Sequence, residues 1–144
     1  MLVINDRSNA MHDIRWKQRF DNWQAAYLRL QEAVAANAQT QNNALIQMAL
    51  IKGFEMTFEL SWKTMKDYLA FNGIEVSLPR EVIKHAFAHK IIDDGQVWID
   101  MLDDRNLMAH TYDETRAQKA VEHICSRYLL ALQNLQHYLH ARLV

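Results

Sequence analysis

The chain has 144 residues, half of them hydrophobic, with 16 basic against 17 acidic side chains and a pI near 6.6. This length bounds one domain, large enough to close a core without disulfide or metal staples. A charge balance so near zero excludes a protein that coats long stretches of nucleic acid through its phosphates, so any contact with RNA or nucleotide must be local.

Three Gly and one Pro are few, which points to helices joined by short connections. The opening "MLVINDRSNA" lacks periodic pattern and is expected to be a disordered extension (1–10), with a single helical domain over 11–144. It also lacks an apolar run of signal-peptide length, and no later stretch approaches the roughly 18 apolar residues of a membrane helix. With Cys125 as the lone cysteine, no internal disulfide is possible. A reducing, cytoplasmic location without membrane contact is expected.

Trp16, Phe20, Trp23, Tyr27, Leu30 and Val34 recur at spacings of four and three, one stripe of a first long helix. "NAQTQNN" (37–43) reads as a connection. A second long helix carries Ile51, Phe54, Phe58, Trp62, Met65 and Leu69 on one face. It ends at "NG" (72–73), where Gly73 can take the left-handed conformation that closes a helix. "VSLPREVIKHAF" restarts a helix with Pro79 in its first turn, where proline costs no hydrogen bond. Gly95 interrupts after "IIDD", and Trp98, Met101 and Leu102 open a short helix. Thr111 with Glu114 has the spacing of a capping box, and Asp113 is an equal candidate for the cap. A last long helix aligns Val121, Ile124, Tyr128, Leu132, Leu135 and Leu139. The sum is an all-α, antiparallel up-and-down bundle of four to five helices. A coiled-coil rod is disfavoured by the short, broken helices in the middle.

Within this plain amphipathic pattern, "DDRNLMAHTYDE" (103–114) gathers two acids, an arginine, an amide, a histidine and a tyrosine. Arg105 and His110, five residues apart, would be separated on a straight helix by ~7.5 Å of rise and roughly 140° of rotation. Either the helix breaks between them or they converge with groups of a second chain. Arg offers a fixed fork of donors that matches phosphate oxygens, and His titrates near neutrality. With Asn106, this set suffices for metal-free RNA cleavage. His110 would be the acid/base, and Arg105 would steady the negatively charged phosphorane.

The plainer alternative pairs Arg105 with Asp103 or Asp104 and leaves His110 as a helix cap. Glu55 and Glu59, four apart on the second helix, read either as a solvated face or as carboxylates that buttress Arg105. Glu55, Glu59 and Asp104 are therefore candidate supporting residues. His85/His89 and His137/His140 have spacings workable for two metal ligands. No further ligand completes either pair, so neither a metal nor another cofactor is expected.

Four segments together, "GFEMTFELSWKTMKDYL" (53–69), "LPREVIKHAF" (78–87), "IIDDGQVWIDMLDDRN" (91–106) and "HTYDE" (110–114), carry a family likeness. In order and spacing the chain resembles the nucleotidyltransferase substrate-binding proteins of the HEPN superfamily, small helical partners of minimal nucleotidyltransferases. The resemblance implies a homodimer whose two Arg-x4-His segments approach one another in a cleft. It also implies a toxin of a two-gene toxin–antitoxin module, an endoribonuclease with Arg105, His110 and Asn106 as catalytic residues. Tyr112, two places after the histidine, would accept adenylylation from a nucleotidyltransferase encoded nearby. The alternative within the same family is a non-catalytic subunit that holds a nucleotide or acceptor for its partner.

Overall fold

The computed structural model describes residues 6–109 and 113–144; His110, Thr111 and Tyr112 lie outside the described residues. In chain order come α1 (Asp6–Gln39), α2 (Ala44–Phe71), α3 (Pro79–Ala88), α4 (Gly95–Met108), α5 (Glu114–His123), a π-helical turn (Ile124–Tyr128) and α6 (Leu129–His140). Helices α5 and α6 run on through the π turn as one rod. Among the described residues there is no strand, and the all-helical expectation holds. None of these helices is long and apolar enough to cross a membrane.

The body of the molecule is the α1–α2 hairpin, two rods of 34 and 28 residues. At 1.5 Å per residue they are about 51 and 42 Å long. Asn43 takes the N-cap of α2, its side chain accepting from the amides of Leu45 and Ile46, which spares two of that helix's unpaired donors. The cross-contacts run in opposite senses along the two chains: Leu30 meets Gly53, Trp23 meets Ser61, and Arg19 meets Asp67. The hairpin is therefore antiparallel. Position 53 takes only a small residue, since even a Cβ there would already be in contact, 3.4 Å from the Leu30 Cα.

The predicted stripes form the core. Trp16, Phe20, Trp23, Tyr27 and Leu30 of α1 are buried, as are Phe54, Phe58, Trp62, Met65 and Leu69 of α2, while Val34 and Ile51 are half-buried at its margin. Trp23 stacks between Phe20 and Tyr27 at centroid distances of 5.6 and 4.8 Å. Thr57, Ser61 and Thr64 are buried on α2 and satisfy their hydroxyls on the carbonyls of Gly53, Thr57 and Leu60, one turn back. Ser61 Oγ additionally accepts the Trp23 indole N–H at 2.6 Å. Burial without these bonds would cost about 1–3 kcal/mol per group.

Against the hairpin pack α3, α4 and the α5–α6 rod. Gly73 takes φ +83 and closes α2 as expected, and Pro79 stands at the start of α3. Two boundaries differ from the sequence pattern. Among the described residues α1 is already helical at Asp6, so residues 6–10 of the expected extension are helical; residues 7–10 are exposed, and a fully exposed turn leaves no apolar period to read. Gly95 does not interrupt a helix but is the first residue of α4, whose N-cap Asp94 accepts from the Val97 amide at 3.1 Å. The left-handed residue that ends the preceding turn is Lys90, at φ 60. At the other junction Asp113 is the cap of α5, accepting from the Thr115 amide at 2.9 Å.

Candidate functional site

The last two turns of α4 send four successive polar side chains in different directions. Asp103 leaves toward α3 and meets Arg80 at 3.2 Å. Asp104 turns to the rod, where its Oδ2 accepts the Tyr128 hydroxyl at 2.5 Å and lies 3.1 Å from His123 Nδ1. Arg105 turns to α2, with one guanidinium nitrogen 2.5 Å from Glu59 Oε2. Its other terminal nitrogen donates to Asn106 Oδ1 at 3.1 Å. Lys63, one turn along α2, holds the second Glu59 oxygen at 3.3 Å.

Of the partners open at the sequence level, Asp103 and Asp104 are thus engaged elsewhere, and Glu59 holds the arginine. Glu55 does not share this role: its carboxylate lies 3.9 Å from Lys52. Asp104 lies on the helix that carries Arg105 but faces the rod rather than the guanidinium.

The Arg105 and Glu59 side chains are each about 30% exposed (31% and 30%). A guanidinium has five N–H donors, and the contacts with Glu59 and Asn106 occupy two of its nitrogens. What remains is a fixed cation with spare donors at the surface, the form in which arginine binds phosphate oxygens. Helix α4 ends at Met108 and α5 starts at Glu114. His110 and Tyr112 themselves lie outside the described residues.

Beside this cluster, between α2, α4 and α5, opens a cleft of ≈ 440 Å³. Met48, Ile51, Leu107 and Met108 give it an apolar wall, and Glu55 and His123 are among its polar groups. Burial, joined by the bond to Asp104, pushes the Tyr128 phenol well above its ordinary range, so it remains a donor. The hydrogen bond from Arg127 holds Asp100 below the usual carboxylate range. His85 and His89 stack at 6.3 Å, but among the described residues no cluster of three metal-ligating side chains exists.

His123, Arg80 and Arg127 were not singled out by the sequence, and Tyr128 was read only as core. One signal was present: Gln96, Asp100 and Asp104 repeat at four residues, a polar stripe along a helix that packs on both sides.

The sequence also matches known proteins. The model of the family described as nucleotidyltransferase substrate binding protein like covers residues 18–141. The chain is 30% identical over 106 residues to a protein of Haemophilus influenzae named probable ribonuclease HepT, covering 65% of this chain and 73% of that one. A weaker match, 25% over 85 residues, to the tyrosine recombinase XerD of Lacticaseibacillus casei spans 59% of this chain but 27% of that protein, too little of it to bear on activity. A crystal structure of a Thermus thermophilus protein superposes with a TM-score of 0.62 at 26% identity, covering 74% of this chain and 94% of that one. The segments that first suggested the likeness, from 53 to 114, fall inside the matched range, and the chain belongs to the nucleotidyltransferase substrate-binding protein family of the HEPN superfamily.

Proposed function

We propose that this protein is the toxin of a two-gene toxin–antitoxin module, a metal-independent endoribonuclease that works as a homodimer in the cytoplasm. The observation that carries this reading is the Glu59–Arg105–Asn106 cluster: a surface guanidinium, aimed by a carboxylate from another helix and left with free donors. The likeness to a probable ribonuclease supports it.

In the proposed reaction one imidazole, that of His110, takes the proton of the ribose 2′-hydroxyl. The 2′-oxygen then attacks phosphorus, forming a phosphorane with two negative oxygens. Arg105 offers its spare N–H groups to those oxygens, and Asn106 helps hold the guanidinium in plane. The bond from phosphorus to the 5′-oxygen breaks, and that oxygen leaves with a proton from an imidazolium. The His110 of a second subunit would supply it. Products are a 2′,3′-cyclic phosphate and a 5′-hydroxyl. Exposed apolar residues fit self-association: Met48, Met56 and Leu107 each leave about half their surface (50%, 51% and 49%) open to solvent.

The antitoxin in this reading is a minimal nucleotidyltransferase encoded nearby, which transfers AMP from ATP to the Tyr112 oxygen and releases pyrophosphate. Expressing the protein alone and beside that partner tests the whole proposal. Alone it should arrest growth. With the partner, growth should recover, and the toxin should gain adenylyl mass that disappears in Tyr112→Phe. Normal growth without the partner, equal to that of His110→Ala, contradicts the toxin assignment.

The cleft beside the cluster favours a second reading. At ≈ 440 Å³ it falls in the size range of small-ligand sites, as a non-catalytic subunit holding nucleotide for its partner would require. Co-purification with the nucleotidyltransferase and no RNA turnover would select this reading.

A further inference from the structure

The π turn lies directly against the helix that carries Arg105. Asp100 Oδ2 pairs with Arg127 at 2.7 Å, and Asp104 Oδ2 takes both Tyr128 and His123. Gln96 extends the same stripe by donating to Asp100 at 2.9 Å. Three side chains of the rod, at 123, 127 and 128, therefore reach one face of α4.

An α-helix does not allow this. Residues five apart differ by roughly 140° there, so 123 and 128 would point to different sides. The i→i+5 bonding of a π turn, seen here as the Leu129 amide donating to the Ile124 carbonyl, brings the fifth residue back round to the first. The turn thus allows His123 and Tyr128 to close on one carboxylate.

Tyr128 is a firm anchor. Its ring is buried and stacks on Phe54 of α2 at 5.4 Å. A carboxylate only accepts, so the His123 contact requires the proton on Nδ1. On the next residue of α4, Arg105 turns the other way, to Glu59 of α2. The helix is gripped at successive positions on two sides, which fixes its rotation about its own axis.

We propose that the π turn is a positioning device, and that Tyr128 and His123, by gripping Asp104, set the rotation of α4 that aims Arg105 at Glu59 and at its phosphate. Neither residue touches the reacting atoms. Where it concerns turnover, the inference rests on the ribonuclease reading; where it concerns the aim of Arg105, it stands alone.

The test has two readouts. The first is the guanidinium NMR signal of Arg105 in protein labelled with ¹⁵N-arginine, assigned by its absence in Arg105→Lys. In Glu59→Gln the signal should move toward that of a freely rotating arginine. It should move the same way in Tyr128→Phe and in His123→Leu. His123→Asn, whose amide can stand in for the Nδ1 donor, should restore it. The second readout is RNA cleavage. Tyr128→Phe should lower kcat about 10- to 100-fold, the scale of a reacting group misplaced by an ångström, with KM little changed. In an Arg105→Lys background, where some cleavage should remain, the same substitution should do much less.

An Arg105 signal that Glu59→Gln shifts and Tyr128→Phe leaves alone overturns the proposal, as does an undiminished Tyr128→Phe effect on cleavage in the Arg105→Lys background. If wild-type protein cuts no RNA, the ribonuclease reading fails separately, and the guanidinium signal decides this one.

Discussion

Glu59→Gln separates what the Glu59–Arg105 pair does for stability from what it does for chemistry. Both side chains are about a third exposed, so solvent screens the pair, and its loss should cost only about 0.5–1 kcal/mol of folding free energy. For a chain of this length that is a fall in Tm of about 1–4 °C. The effect on turnover should be far larger. An arginine free to swing loses its fixed aim at a phosphorane, and a donor misplaced by an ångström costs on the order of 100-fold. Removing a negative charge beside the proposed phosphate site also makes the surface more attractive to RNA, so KM should not rise. The expected outcome is thus a kcat lowered about 10- to 100-fold, KM equal or lower, and Tm nearly unchanged. Initial rates on a short RNA over a range of concentrations, with a thermal melt of the same preparation, give all three. A Glu59→Gln enzyme with wild-type kcat, while Arg105→Ala is inactive, would refute the claim that this carboxylate aims the guanidinium.

Other consequences concern the frame. Ser61→Ala leaves the buried Trp23 indole N–H without the acceptor it has at 2.6 Å, and chemical denaturation should register a loss of about 1–3 kcal/mol. Gly53→Ala should be nearly neutral, because a Cβ finds ordinary contact at 3.4 Å from Leu30. Gly53→Leu should cost about 1–3 kcal/mol by wedging α1 from α2, measured the same way. The Tyr128 phenol, raised above its ordinary 10.0, contributes stability that is whole below about pH 10 and lost as pH climbs toward the folded value. Tyr128→Phe should flatten the alkaline limb of a stability–pH curve. Asp100 is lowered from its ordinary 3.8, so its contribution is present above that pH and lost as pH falls through the folded value. Asp100→Asn should flatten the acid limb.

The stripes of α1, α2 and the last rod were legible because burial repeats at the helical period and aromatic residues mark it strongly. Trp16, Phe20 and Trp23 could hardly face water together. The π turn was not legible. Val121, Ile124, Tyr128 and Leu132 step by three, four and four, as in any α-helix, and the extra residue shows only in which polar groups come to share a face. The polar cluster could be located from "DDRN", but its wiring could not. Asp103, Asp104, Glu55 and Glu59 were all chemically able to hold Arg105, and only the packing of α4 across α2 picks Glu59. Likewise "IIDDGQ" shows a break without saying whether glycine ends one helix or begins the next; the Asp94 cap decides it.

In the proposed reaction Arg105 stabilises the transition state of RNA cleavage without a metal. The most direct measurement incubates a short RNA in EDTA with wild-type protein, with Arg105→Lys and with Arg105→Ala, and identifies the new ends by mass. The wild type should give fragments ending in a 2′,3′-cyclic phosphate, the lysine variant markedly fewer, and the alanine variant none. Equal cleavage by the wild type and Arg105→Ala, or fragments that appear only when a divalent metal is restored, would contradict it.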